Sequence, residues 1–256
     1  LLYGEKEDGS SNKNSLRHGS EKVVDFTAEY LRKLASDPRS HDILSIAPTD
    51  GDNYSRDKET TARGDVSESF YWYVNEVAAR LRKAEPDKLV GTTAYYKHAK
   101  PPSFDLAPNV VVLGATQFGS GGMSLDDFFS AWSKRTKYLG IRDYIYSGYQ
   151  FVADHPDGGF RVKPLEQQRK WLLNYPVVYY SAEGLWEWGV KGASYYTLAQ
   201  LLWDPSQEVQ EILKDFRDAA YGPASGEMSA YYDALEPQGR AVRDHQMARG
   251  VEAIRK

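Results

Sequence analysis

Two spacings of apolar residues alternate along most of the chain. Short apolar runs of strand length recur at 42–48, 89–95, 110–115, 141–147 and 177–180. Between them the apolar residues fall at helical spacing. Val23, Thr27, Tyr30, Leu31 and Leu34 mark a helix over 20–36, with Ser20 placed to cap it. Phe70, Val74, Val77, Ala78 and Leu81 mark a longer one, from Ser67 to about Ala84. Ser124 opens a helix to about Tyr138, with Asp126 and Asp127 in its favourable first turn. Pro164 opens a short one to about Asn174. Tyr195, Leu198, Ala199 and Leu202 carry the pattern on to Asp204-Pro205, which puts Trp203 in a packed helix and so in the core. Beyond Pro205 the pattern is all helical: 206–221, then one or two helices past Gly222-Pro223. Residues 1–19 cluster Gly, Ser and Asn and read as loop.

Strands alternating with helices predict an α/β protein with a parallel sheet and helical crossovers. An open doubly wound sheet satisfies that order, but GxGxxG after a first strand and GxxxxGK[ST] are both missing. The GSGG run at 119–122 follows a strand and precedes a helix; without a Lys-Ser/Thr end it reads as a flexible loop rather than a phosphate cradle. A (β/α)8 TIM-barrel-like fold fits better, with these strands as the C-terminal five or so and the earlier ones upstream of residue 1. The expected division is a barrel portion over 1–205 and a helical segment over 206–256 packing on it.

Composition removes several classes of function. The net charge is −4, and Lys and Arg form no basic block, so no nucleic-acid surface is expected. With no cysteine there is no disulfide, thiolate metal site or cysteine nucleophile. No apolar run reaches the length of a membrane span, and the first residues do not form a signal peptide. The absent initiator Met suggests a piece of a longer chain. Five His without paired spacing give no metal site, His98 and His155 read as surface loop residues, and no cofactor is implied. No GxSxG elbow supports serine-hydrolase chemistry. Aromatics reach 13%, with 19 Tyr. Rings with polar tips suit carbohydrate, whose C–H faces stack while hydroxyls hydrogen-bond; most of them are nonetheless core.

The candidate chemistry gathers where strands end, the edge that binds ligands in α/β folds. Asp50, Asp52 and Asn53 follow the 42–48 run. Tyr95, Tyr96 and His98 follow the next; Gln117, then Tyr149 and Gln150, follow two more. Glu183 comes just after the 177–180 run, which reads as a buried strand, with Trp186 and Trp188 beside it. Paired carboxylates on one rim are what glycoside hydrolysis needs: one donates a proton to the leaving oxygen, and the other acts as base or nucleophile. Asp50 in Thr-Asp-Gly-Asp also reads as a plain turn former. Trp186 and Trp188 alternate, so one of the two faces the site.

Four segments carry a family resemblance: SIAPTDGDNY (45–54), FYWYVNEVAARLRKAEPDKLVGTTAYY (70–96), the strand at 108–112, and the block from Ala182 to Glu236 that holds AEGLWEWG and LLWDP. They resemble the bacterial domain-of-unknown-function family DUF4838. That resemblance implies a barrel akin to α-glucuronidase-like and hexosaminidase-like glycoside hydrolases, in secreted, periplasmic or cell-surface proteins that act on polysaccharides. It puts Asp50 and Glu183 at the family's two acidic rim positions and Tyr95 at its strand-exit tyrosine. One departure is plain: relatives follow the Asp-Gly turn with a C-x-C-x-x-C cluster, where this chain has NYSRDKETTARG (53–64).

The expected function is a glycoside hydrolase with Asp50 and Glu183 as catalytic carboxylates. Trp186, Tyr95, Asn53, Gln117, Tyr149 and Trp188 would bind a carbohydrate substrate, without metal or cofactor. A non-catalytic carbohydrate-binding domain and a structural domain of a larger surface protein are the alternatives. Oligomeric state is not legible.

Overall fold

The computed structural model describes residues 2–51, 53–117, 119–144, 162–183 and 188–235. The chain begins with an antiparallel hairpin, β1 (Tyr3–Glu5) and β2 (Ser11–Leu16), where the sequence predicts loop. Its polar residues pair because tertiary bonds hold them. Asn12 Nδ2 donates to the Asn53 carbonyl (3.0 Å), Glu5 N to Ser55 Oγ (3.0 Å), and Arg56 N to the Glu5 carbonyl (2.7 Å). Asn12 and Ser15 are buried.

Five strands then form one parallel sheet in sequential order: β3 (Ile43–Ser45), β4 (Leu89–Ala94), β5 (Val110–Ala115), β6 (Tyr138–Tyr144) and β7 (Val177–Glu183). Sequential order, with helices between most of the strands, is the arrangement of a partial TIM-barrel-like fold. The register places Val90, Val110 and then Val112 beside Leu139 on one face, all buried. Gly114 on that face is pressed by helix: a Cβ there would lie 2.5 Å from Phe128.

α1 (Glu21–Ala35) leads from the hairpin into the sheet, and the crossovers include a short α2 (Lys58–Thr61), α3 (Val66–Ala84) and α4 (Leu125–Ser133). Asp65 caps α3 by accepting from Glu68 N, and Ser124 caps α4 by accepting from Asp127 N. Ser20 occupies the N-cap of α1 without making a side-chain bond. Val23, Val24, Leu31, Val74, Val77 and Leu81 meet in the core between α1, α3 and the sheet. Phe128, Phe129 and Trp132 fill it from α4, and Trp132 Nε1 donates to the Ala99 carbonyl at 2.9 Å.

Three sequence expectations shift. α4 ends at Ser133, because Tyr138 already pairs, in β6, with Val111 of β5; that strand therefore begins at Tyr138 rather than Ile141. β7 extends to Glu183, so this acid is the strand's last residue rather than the one after it. Nor is β7 buried: Val178 and Tyr179 are exposed, and among the described residues β7 is the last strand of the sheet.

Contacts divide the chain into two units, Leu1–Asp143 with Tyr175–Ala182, and Tyr144–Asn174 with Glu183–Lys256. The described part of the second is helical: α5 (Val162–Asn174), α6 (Trp188–Trp203), α7 (Val209–Tyr221) and α8 (Ser225–Leu235). Leu165, Trp171, Leu198, Leu201, Val209, Ile212 and Leu213 form its core. Arg169 fastens the turn between α6 and α7, donating to the carbonyls of Pro205 (3.2 Å), Ser206 (3.2 Å) and Gln207 (2.7 Å) and to Glu208 Oε1 (2.6 Å). Trp203 is not core but 89% exposed, because it ends α6 on the face away from that packing.

Candidate functional site

The exits of β3 and β4 come together on one edge of the sheet. The chain leaves β3 through a loop whose Asp50 Oδ1 accepts from its own turn, at Gly51 N (2.9 Å). Gly51 has φ +88°, a conformation glycine takes without strain. The same Asp50 oxygen accepts from the Tyr95 hydroxyl at 2.9 Å. Asp50 is therefore both the turn former and an acid bound to the tyrosine of the next strand exit. Thr49 Oγ1 donates to the Asn14 carbonyl, so β2 braces this loop from outside. Asn53 lies in the same loop with an exposed side chain and a carbonyl held by Asn12.

Tyr95 is supported from below. Its ring packs edge-on against His98, with centroids 4.8 Å apart. His98 ends a 3-10 turn, Tyr96–His98, that follows β4 directly. It is wholly buried rather than on a surface loop. Turn geometry drives it under Tyr95, between Phe70 (5.1 Å) and Tyr54 (5.7 Å). Its Nδ1 is hydrogen-bonded to the Tyr54 hydroxyl, and its carbonyl accepts from the Tyr71 hydroxyl at 2.8 Å. Burial pushes His98 down to about 4, against a smaller upward effect of the Thr93 carbonyl; nearby His18 adds to the lowering.

His18 is the second buried imidazole, packed on Phe70 (5.5 Å) and Tyr73 (5.1 Å), and its Nδ1 has no hydrogen-bond partner among the described residues. Burial pushes it down to about 4, with the Asp57 carboxylate pulling weakly the other way. Asp57 is itself buried. Burial works to raise its carboxyl, but bonds from Ser55 and from Thr60, with the charge of Arg17, outweigh this and hold it below the ordinary range.

A third feature sits at the exits of β5, β6 and β7. Asp143 is buried and accepts from Thr116 Oγ1 (2.6 Å) and the Tyr180 hydroxyl (2.5 Å). Next to it Arg142 Nη1 donates to Ser181 Oγ at 3.0 Å. Sequence reading missed Asp143 because it placed the strand three residues late, which made this acid interior to the run. A carboxylate at the end of an apolar run was the signal available.

Of the residues expected at the site, Asp50 and Tyr95 are in contact, with Asn53 in the same loop. Gln117 lies two residues past β5 and is half-buried. Glu183 ends β7 with its side chain exposed, and belongs to the second unit. Trp186, Tyr149 and Asp52 lie outside the described residues, as does the side chain of Trp188, whose backbone begins α6. Among the described residues no three His, Cys, Asp or Glu side chains converge as metal ligands would, and no described helix is long and apolar enough to cross a membrane.

A family model described as "Domain of unknown function (DUF4838)" matches residues 3–233. No curated protein and no solved structure matches the chain.

Proposed function

The chain belongs to the DUF4838 family, and on that premise we propose that it is a glycoside hydrolase acting on a polysaccharide or oligosaccharide through Asp50 and Glu183. The observation that carries the reading is the 2.9 Å bond from Tyr95 to Asp50 across two adjacent strand exits. That bond orients the Asp50 carboxylate at the strand exit, where it would serve as the nucleophile, or as the base that takes a proton from water. Glu183 is assigned the second role, proton donor to the leaving glycosidic oxygen, on the family resemblance alone. Tyr95 also offers its ring edge and hydroxyl to a sugar, and Asn53 and Gln117 offer amides to sugar hydroxyls.

The test is a screen of the chain on aryl glycosides and uronic-acid oligosaccharides, repeated with Asp50→Asn and Glu183→Gln. General acid or base catalysis contributes on the order of 100- to 10,000-fold, so each variant should lose at least about 100-fold in kcat/KM while melting normally. Full turnover by Glu183→Gln would remove that residue from the mechanism. One observation favours a second reading, glycan binding without hydrolysis: the side chains of Asp50 and Glu183 are both exposed rather than desolvated. On that reading both variants weaken binding, and the native chain turns over none of the substrates.

A further inference from the structure

We propose that Tyr96 is an aromatic platform on which a pyranose ring of the glycan stacks, one residue beyond the Tyr95–Asp50 pair. The inference rests on the glycan reading above and adds a binding residue to it. Tyr96 has φ +50°, the one positive φ outside glycine among the described residues. There the Cβ of an L-residue crowds the backbone, and a bulky side chain is a marked outlier.

The fold needs the conformation. Tyr95 is extended, at φ −163° and ψ 167°, and the chain must turn at once to bury His98. Tyr96 N fixes the turn by donating to the Gly119 carbonyl at 3.1 Å. The fold does not need the tyrosine. Glycine or asparagine takes this φ more readily, and the Tyr96 side chain is 49% exposed, so it adds little to the core. Its contact with Lys97 Nζ, at 5.9 Å from the ring centroid, sits at the outer limit for a cation over a ring. A strained backbone carrying a half-exposed ring, next to an acid held by a tyrosine, is a combination expected of a ligand site. A sugar lays its C–H face on such a ring, while the Asp50 carboxylate and the lone pairs of the Tyr95 hydroxyl accept from its hydroxyls. No other ring among the described residues stands on a positive-φ backbone; Trp203, at 89% exposure, ends an ordinary helix.

The experiment runs the full chain through native gels containing soluble xylan, mannan or polygalacturonate and compares Tyr96→Gly, Tyr96→Asn and Tyr96→Phe. The native chain should be retarded by at least one polymer. Tyr96→Gly and Tyr96→Asn should fold normally and bind roughly tenfold more weakly, the scale of one partly buried ring. Tyr96→Phe should bind nearly as the native chain does. Unchanged retardation of Tyr96→Gly overturns the inference. So does unfolding of both ring-less variants, which would make the ring structural. If Asp50→Asn and Glu183→Gln abolish turnover while the Tyr96 variants bind normally, the inference falls alone. Absence of both retardation and turnover in the native chain sinks it together with the hydrolase reading.

Discussion

Acidification from pH 7 to pH 5 is expected to destabilise the first unit through His18 and His98. Both imidazoles are buried, and each is pushed from its ordinary 6.5 down to about 4. The fold therefore binds these protons less readily than the unfolded chain. The stability this contributes is complete above about pH 6.5 and is lost as pH falls from there toward 4. Over the step from pH 7 to 5 each histidine costs about 2 kcal/mol, and the two together about 4. A domain of this kind has only about 5–15 kcal/mol in total. The two rings also oppose one another's charging, since His18 contributes to the lowering of His98. Asp57, the acid facing His18, is held below 3.8 and stays ionised throughout the window, so it adds no slope of its own. The assay is urea unfolding at half-unit steps between pH 7.5 and 5, with imidazole proton titration by NMR. Stability should fall with a slope approaching about 2 kcal/mol per pH unit near pH 5. A flat profile between pH 6.5 and 5, or imidazole signals of His18 and His98 titrating near 6.5 in the folded protein, would refute the reasoning.

Three further outcomes are expected, each read by thermal or urea unfolding. A Cβ at Gly19 would lie 2.3 Å from the backbone at Glu59 and Thr60, so Gly19→Ala must part α2 from the start of α1 and should cost about 3 kcal/mol. Asp65→Ala removes the carboxylate that accepts from Glu68 N at the head of α3 and should cost about 1 kcal/mol. Trp203→Ser should change stability by less than about 0.5 kcal/mol because the indole is 89% exposed; a loss of 2 kcal/mol would restore it to a core.

Much of the fold was legible because its elements are locally coded. α1 and α3 carry apolar stripes at helical spacing, and they occur within a residue or so of where the stripes put them. β5 opens on a run of Val and Leu, and its ends match the expectation. The family followed from motifs spread over most of the chain, and membership holds across 3–233. The misses are long-range. β1 and β2 have no apolar alternation; they are strands because loop 53–56 supplies hydrogen-bond partners from elsewhere in the chain. β6 is placed by pairing with β5, which overrode the helical spacing reaching toward Tyr138. Trp203 fitted a helix, but spacing does not say which face of that helix meets a core.

For the candidate site the division is sharper. The sequence by itself determined that an acid, a tyrosine and an amide follow successive strands, since a parallel sheet sends every strand exit to the same edge. It also determined that Asp50 sits in a tight turn, because Asp-Gly encodes one locally. Only the tertiary structure decided that Tyr95 donates to Asp50, that His98 lies wholly buried beneath Tyr95, and that Asp143 joins Thr116 and Tyr180. The same holds for the left-handed backbone at Tyr96, which exists because β4 must turn abruptly to bury a histidine. The physical reason is common to all four. A turn or a strand end is specified by a few neighbouring residues, whereas a hydrogen bond across 45 residues, or the desolvation of an imidazole, depends on what the rest of the chain packs against it.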